Sequence, residues 1–243
     1  MSARQGDDAG PVGMTPAPAQ TGHLLPRLLL ALAAVTGLVD AASYLALGHV
    51  FTGNMTGNVV LLAFGAAGAS GLSVSRSGTA LAAFALGASM GGRIAARMAD
   101  APRHQRTGTA FAAEAGLLWG SMAVASAAGG DLTHHLASLY GTIALTGLAM
   151  GIRYATILKL EVRDVNPSVL TGTIAMLASG THPRWTRGGA SVAMMCAGAA
   201  AGTYLLRSSV ALVFGLAGGI SGACALAAWF GLRRTARAPE RVG

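Results

Sequence analysis

Apolar residues in this chain fall into blocks, at roughly 24–48, 54–72, 78–98, 108–129, 134–158, 168–180, 188–206 and 208–232. A hydrocarbon core is crossed by about 20 apolar helical residues, and six of the blocks read as full crossings. Two do not. Block 54–72 opens with NMTGN and closes in GAAGASG, and block 168–180 (SVLTGTIAMLASG) has thirteen residues. Such segments suit half-helices, because irregular backbone at membrane depth is tolerated only inside protein or beside a water-filled cavity. The pattern predicts an all-α polytopic membrane protein with six transmembrane helices and two short re-entrant or broken half-helices.

Composition agrees with the pattern. Of 243 residues, 53% are hydrophobic and 11% charged, with mean hydropathy +0.55. That charged fraction is about half of what a soluble domain carries. Residues 1–22, rich in Pro, Gly, Ala and Gln, lack apolar periodicity and read as a disordered tail. The first block runs past signal-peptide length to Leu47, so it reads as an uncleaved span. The net charge of +8 reflects topology better than a nucleic-acid partner. If both short blocks enter and leave on one face and the N-terminus is cytoplasmic, that side receives Arg27, Arg103, Arg106, Lys159, Arg163, Arg184, Arg187 and the basic tail 233–243. Arg93 and Arg97 fall toward it too, which satisfies the positive-inside rule. Eight full crossings would divide these cations between the two faces. The expected location is the plasma membrane, multi-pass, with both termini cytoplasmic.

The blocks repeat. MTGNVVLLA (55–63) resembles LTGTIAMLA (170–178), and GLVDAASYL (37–45) resembles GIRYATILK (151–159), at offsets of 115 and 114. A long block precedes a short one in each half, so 23–130 and 131–232 read as two repeats forming one domain. With six crossings the second half starts on the opposite face, which makes the repeats inverted.

Candidate chemistry gathers at the short blocks. Asn54 or Thr56 suits the cap of a half-helix, and Gly57 and Asn58 complete a polar cluster whose free N–H donors fit an anion. Ser168, Thr171, Gly172 and Thr173 form its counterpart, and half-helix ends meeting near the midplane are a recurring transporter site. Close packing of small residues is the plainer reading of Thr171–Thr173. Asp40 and Arg153 are ionisable residues inside matching spans, which predicts either a structural ion pair or a coupling group. Glu114 is expected near the cytoplasmic face, neutralised by Arg93 or Arg97. Cys196 and Cys224 lack metal-ligand spacing and read as buried thiols. His134-His135 point apart on any helix and carry no third ligand, so neither metal nor cofactor is expected. Trp119, Trp185 and Trp229 read as interfacial anchors.

GLVDAASYLALGHVFTGNMTGN (37–58), followed in the second half by VLTGT (169–173), resembles the YoaK-like family of bacterial multi-pass inner-membrane proteins. This sequence has GIRYA at 151–155 where the family pattern has G-M-Q-N-A, so Arg153-Tyr154 depart from it. The resemblance implies the fold and topology and no particular activity. Residue chemistry favours a permease or channel for a small solute, anions included, in a lipid bilayer; assembly of several copies is compatible with it. A non-catalytic scaffold or partner subunit is the alternative. An intramembrane enzyme is disfavoured, because no His lies beside an intramembrane Asp or Ser and no carboxylates pair at helical spacing.

Overall fold

The computed structural model describes residues 24–129, 132–159 and 185–236. Every regular element among them is helical: α1 (Leu24–Ala46), α2 (Met55–Ala66), α3 (Val74–Arg97), α4 (Arg103–Ala127), α5 (Leu136–Lys159), α6 (Trp185–Leu205) and α7 (Val210–Ala236). Five of these, α1, α3, α4, α5 and α7, are long and apolar enough to cross a membrane. The second short block lies outside the described residues, and with it Ser168, Thr171, Gly172 and Thr173.

A helix that is apolar all round belongs in the interior of a bundle. In α1 every residue from Val35 to Ser43 is buried, and α5 is likewise central. Helix α3 instead buries a narrow stripe of small residues, Ser77, Ala80, Ala83, Gly87 and Gly91. Small residues let membrane helices approach backbone to backbone. A Cβ on Gly91 would stand 2.8 Å from the Ile152 carbonyl, and one on Gly151 would stand 2.7 Å from the Ala88 amide. The α1–α6 crossing is built the same way: a Cβ on Gly37 would stand 2.6 Å from the Ala199 amide. The remaining large contacts join α4 to α7, α4 to α5, and α1 to α7.

Order along these contacts gives direction. Ser75 and Tyr140 hydroxyls lie 2.9 Å apart, and Lys159 Nζ donates to the Gly92 carbonyl at 3.2 Å, so α3 and α5 run parallel. Glycines 37 and 202 meet residues 195–199 and 38–41 in matching order, so α1 and α6 are parallel too. Gly108 faces Trp229 while Met122 faces Gly215, which makes α4 and α7 antiparallel.

Between α1 and α3 the chain turns back into the bundle. Gly48 (φ 81°) and His49 (φ 62°) reverse it in the left-handed region, where His49 is an uncommon occupant. The Tyr44 ring steadies the turn, stacked on Phe51 at 4.8 Å and edge-on to His49 at 5.2 Å. Residues 50–54 then descend along α1. Helix α2, with 12 residues, rises only about 18 Å at 1.5 Å per residue, well short of the roughly 30 Å hydrocarbon thickness. Gly48 touches the guanidinium of Arg76, so the end of α1 and the start of α3 share one end of the bundle.

Three details differ from expectation. Helix α4 starts at Arg103, several residues before its apolar block, because a membrane helix continues into the polar layer where an apolar run stops. Cys196 faces outward from α6, and only Cys224 is buried. Trp119 lies well inside α4, against Gly218 and Gly222 of α7, where its indole covers glycines and is no helix-end anchor. The Trp185 side chain is outside the described residues.

Candidate functional site

Two residues of the NMTGN cluster, Asn54 and Asn58, hold the descending chain by hydrogen bonds. Asn54 is the N-cap, its Oδ1 accepting from the Gly57 N–H at 3.3 Å. Asn58 is fully buried and reaches back to Phe51: its Oδ1 accepts from the Phe51 N–H at 2.9 Å, and its Nδ2 donates to the Phe51 carbonyl. One side-chain amide thereby satisfies both peptide groups of a residue that belongs to no helix, as a buried backbone requires. Gly57 lies under the Phe51 ring, which a Cβ would meet at 3.0 Å. Asn54 and Thr56 are exposed. The residue this scaffold delivers to the bundle interior is Gly53, whose N–H donates to Asp40 Oδ1 at 2.8 Å.

Around Gly53 the structure assembles a buried ionic network. Leu32, Thr36 and Asp40 are spaced by four along one face of α1. Arg153, 4% exposed, reaches across from α5. Its Nη1 donates to the Leu32 carbonyl and to Glu114 Oε1, each at 3.1 Å; its Nη2 donates to Thr36 Oγ1 at 2.7 Å and sits 2.8 Å from Met150 Sδ. Thr36 can accept there because its own proton goes to the Leu32 carbonyl at 3.0 Å. Glu114 Oε1 takes a further hydrogen bond from Ser221 of α7 at 2.9 Å. Four helices thus converge on one ion pair. Asp40 Oδ2 and Glu114 Oε2 are buried without a hydrogen-bond partner.

A cavity of about 30 Å³ opens beside this network, lined by Thr36, Gly53, Phe84, Met150, Arg153, Tyr154 and Ile157. A space of that size holds one or two waters. A Cβ on Gly53 would stand 3.0 Å from Asp40 Oδ1 and from Thr36 Cγ2, and 3.2 Å from Asp40 Oδ2. Glycine is needed there for close approach.

The structure therefore brings Asp40, Gly53 and Arg153 together, uses Asn54 and Asn58 to hold the turn, and leaves Thr56 exposed on the first turn of α2. It pairs Arg153 with Glu114, where the sequence suggested Asp40. Arg93 and Arg97, the partners expected for Glu114, are exposed at the end of α3. Glu114 is the twelfth of 25 residues in α4, hence central; two intramembrane charges of opposite sign were the available signal. Thr36, Ser221 and Phe84 carried none, since isolated Thr, Ser and Phe are routine in membrane helices.

Long apolar helices with a charged network in their core define a multi-pass helical membrane protein. The chain belongs to the DUF1275 family, described as a protein of unknown function, whose profile matches residues 28–227. It is 33% identical over 150 residues to UPF0700 transmembrane protein YoaK of Bacillus subtilis (strain 168), an alignment covering 62% of this chain and 64% of that protein. The chain thus matches just under two thirds of that relative's length. No solved structure matches.

Proposed function

We propose that this protein is a non-enzymatic permease, a secondary transporter or channel-like carrier for a small solute, with its binding site in the Arg153 cavity. The carrying observation is a buried guanidinium bordering a cavity that is closed on one side by the chain leading into a half-helix. Solutes bearing an anionic group are the first class to test against it, and the Tyr154 hydroxyl offers a further donor.

Two inverted repeats in a six-crossing topology complete the reading, with α2 re-entrant and the termini in the cytoplasm of a plasma-membrane protein. Pairing α1 with α5, α3 with α6, and α4 with α7 sends each helix to one of opposite direction. The same exchange converts the α1–α6 contact into α5–α3 and the α4–α5 contact into α7–α1, and it leaves α4–α7 in place. Gly37 and Gly151, equivalent in the sequence repeat, both sit at the tightest crossings. This symmetry and the cavity favour a carrier over a scaffold.

The test is uptake by proteoliposomes of labelled organic acids, amino acids and inorganic anions, with thermal shifts on the purified protein in parallel. Wild type is expected to respond to one class, and Gly53→Ala to lose that response, since its Cβ crowds Asp40 and Thr36. No uptake and no stabilisation across the whole panel would refute the reading.

A further inference from the structure

The buried charges do not balance. Among the described residues, Asp40, Glu114 and Arg153 are the acidic and guanidinium side chains buried in the core, and two carboxylates face one cation. A guanidinium is always charged and here is held by Glu114 at 3.1 Å. An intramembrane charge persists only when paired or solvated, and among the described residues one carboxylate lacks a counter-charge. Geometry identifies it as Asp40. Each carboxylate keeps one buried oxygen without a hydrogen bond, but Glu114 receives the Arg153 cation and Ser221 on Oε1, whereas Asp40, 5% exposed, receives the neutral Gly53 N–H on Oδ1. The free oxygen is buried behind Gly53, 3.2 Å from where a Cβ on that residue would stand, and Gly53 separates it from the cavity that Gly53 lines.

We propose that Asp40 binds one exchangeable monovalent cation, a proton or an alkali ion, at Oδ2. Its arrival cancels the surplus negative charge and so allows the Arg153 cavity to take an anionic solute. The second half of this inference rests on the permease reading; the cation site does not. If the cation is a proton, it comes from water, forms an O–H bond on Oδ2, and leaves the carboxyl group neutral.

Other ionisable groups on elements packed against α1 define the background. They are Tyr140, Arg153, Tyr154 and Lys159 on α5, Arg103, buried His104, Arg106 and Glu114 on α4 and Cys224 on α7, with Arg27 and Tyr44 on α1 and His49 in the turn after it. The described part of α6 carries Cys196 and Tyr204 at exposed positions. Histidine titrates in the same pH range as any proton response, so the comparison with an Asp40 variant is essential.

The experiment follows thermal unfolding of the detergent-purified full chain in two arms. One lowers pH from 8.5 to 5.5 with N-methylglucamine as the only added cation; the other adds sodium or potassium at pH 8.5, with ionic strength held by N-methylglucamine. A ligand bound by the folded state alone raises the melting temperature by roughly 3–6 °C at tenfold excess over Kd. Wild type is expected to show this in one arm, which identifies the cation. Asp40→Asn, which keeps an acceptor for Gly53, is expected to show it in neither. No response in wild type, or an equal one in Asp40→Asn, overturns the proposal. Should that variant fail to fold, Asp40→Glu displaces the charge by one methylene and is expected to move the response midpoint at least threefold; an unmoved midpoint overturns it. Cation response without uptake of any solute supports the site and removes the permease. Uptake without cation response does the reverse.

Discussion

Arg153→Met offers the sharpest test of the buried network. At 3.1 Å and an effective dielectric near 20, a unit-charge pair interacts by about 5 kcal/mol. Desolvation offsets much of that in the intact pair, but removal of one partner strands the other, which typically costs about 3–5 kcal/mol. Methionine fills most of the volume, so the loss is mainly electrostatic. For a domain of this size each kcal/mol moves the melting temperature by about 2–4 °C, so a fall of roughly 6–20 °C is expected by fluorescence-detected size-exclusion thermostability. The informative step is the second substitution. Adding Glu114→Gln removes the stranded charge while leaving an acceptor for Ser221, and is expected to restore about 2 kcal/mol, or some 4–8 °C. Adding Asp40→Asn instead should restore less, because Asp40 is not within ion-pair distance of Arg153 and has the Gly53 amide. A double variant with Glu114→Gln that melts no higher than Arg153→Met alone, or that is rescued less than the Asp40→Asn double, would refute the pairing.

Further expectations concern the scaffold. Gly37→Ala and Gly151→Ala each drive a Cβ into backbone across a helix crossing and should cost about 1–3 kcal/mol. Gly141→Ala, where a Cβ meets nothing within 4 Å, should be neutral or stabilising by up to about 1 kcal/mol; equal melting temperatures for all three would contradict the close crossings. Asn58→Ala strands the N–H and carbonyl of Phe51, at about 1–3 kcal/mol per buried group, and should lower both melting temperature and solute uptake. Asn54→Ala removes only a cap, worth about 1 kcal/mol, and should leave uptake largely unchanged; abolished uptake in that variant would restore Asn54 as a ligand.

Apolar blocks announced the helices within a few residues, because membrane insertion imposes length and hydropathy on each one separately. Polar first turns escaped that signal, and the early start of α4 is why Glu114 looked peripheral when it is central. The short helix α2 was legible for a related reason: Gly, Asn and Thr inside an apolar run need a structural explanation. Which Asn does what was not legible. Asn58 clamps Phe51 beyond a turn in which His49 adopts a positive φ, and no hydropathy pattern reports that. Nor does a sequence show that α4 and α5 meet with Glu114 opposite Arg153. That register comes from three-dimensional packing of α3, α4, α5 and α7, in which small residues set how closely the helices approach. Of the candidate site, Asp40 and Arg153 stood out because charge in an apolar run is costly; Gly53 was visible only as part of a motif.

Topology is where fold and mechanism meet, and cysteine accessibility decides it. If α2 re-enters, the 67–73 turn and the 206–209 turn share the outer face, and 98–102 lies with Arg93, Arg97, Arg103 and Arg106 in the cytoplasm. If α2 crosses fully, the chain after it is inverted, and Ser70 and Asp100 exchange sides. Contact between Gly48 and Arg76 supports re-entry, since a full crossing would part the end of α1 from the start of α3 by about 30 Å. In a background lacking Cys196 and Cys224, Ser70→Cys, Asp100→Cys and Ser208→Cys all place a thiol at an exposed position. A membrane-impermeant maleimide added to intact cells is expected to label positions 70 and 208, and position 100 only after permeabilisation. Labelling of 100 with protection of 70 would show that α2 crosses, and would remove both the inverted repeat and the half-helix from the site.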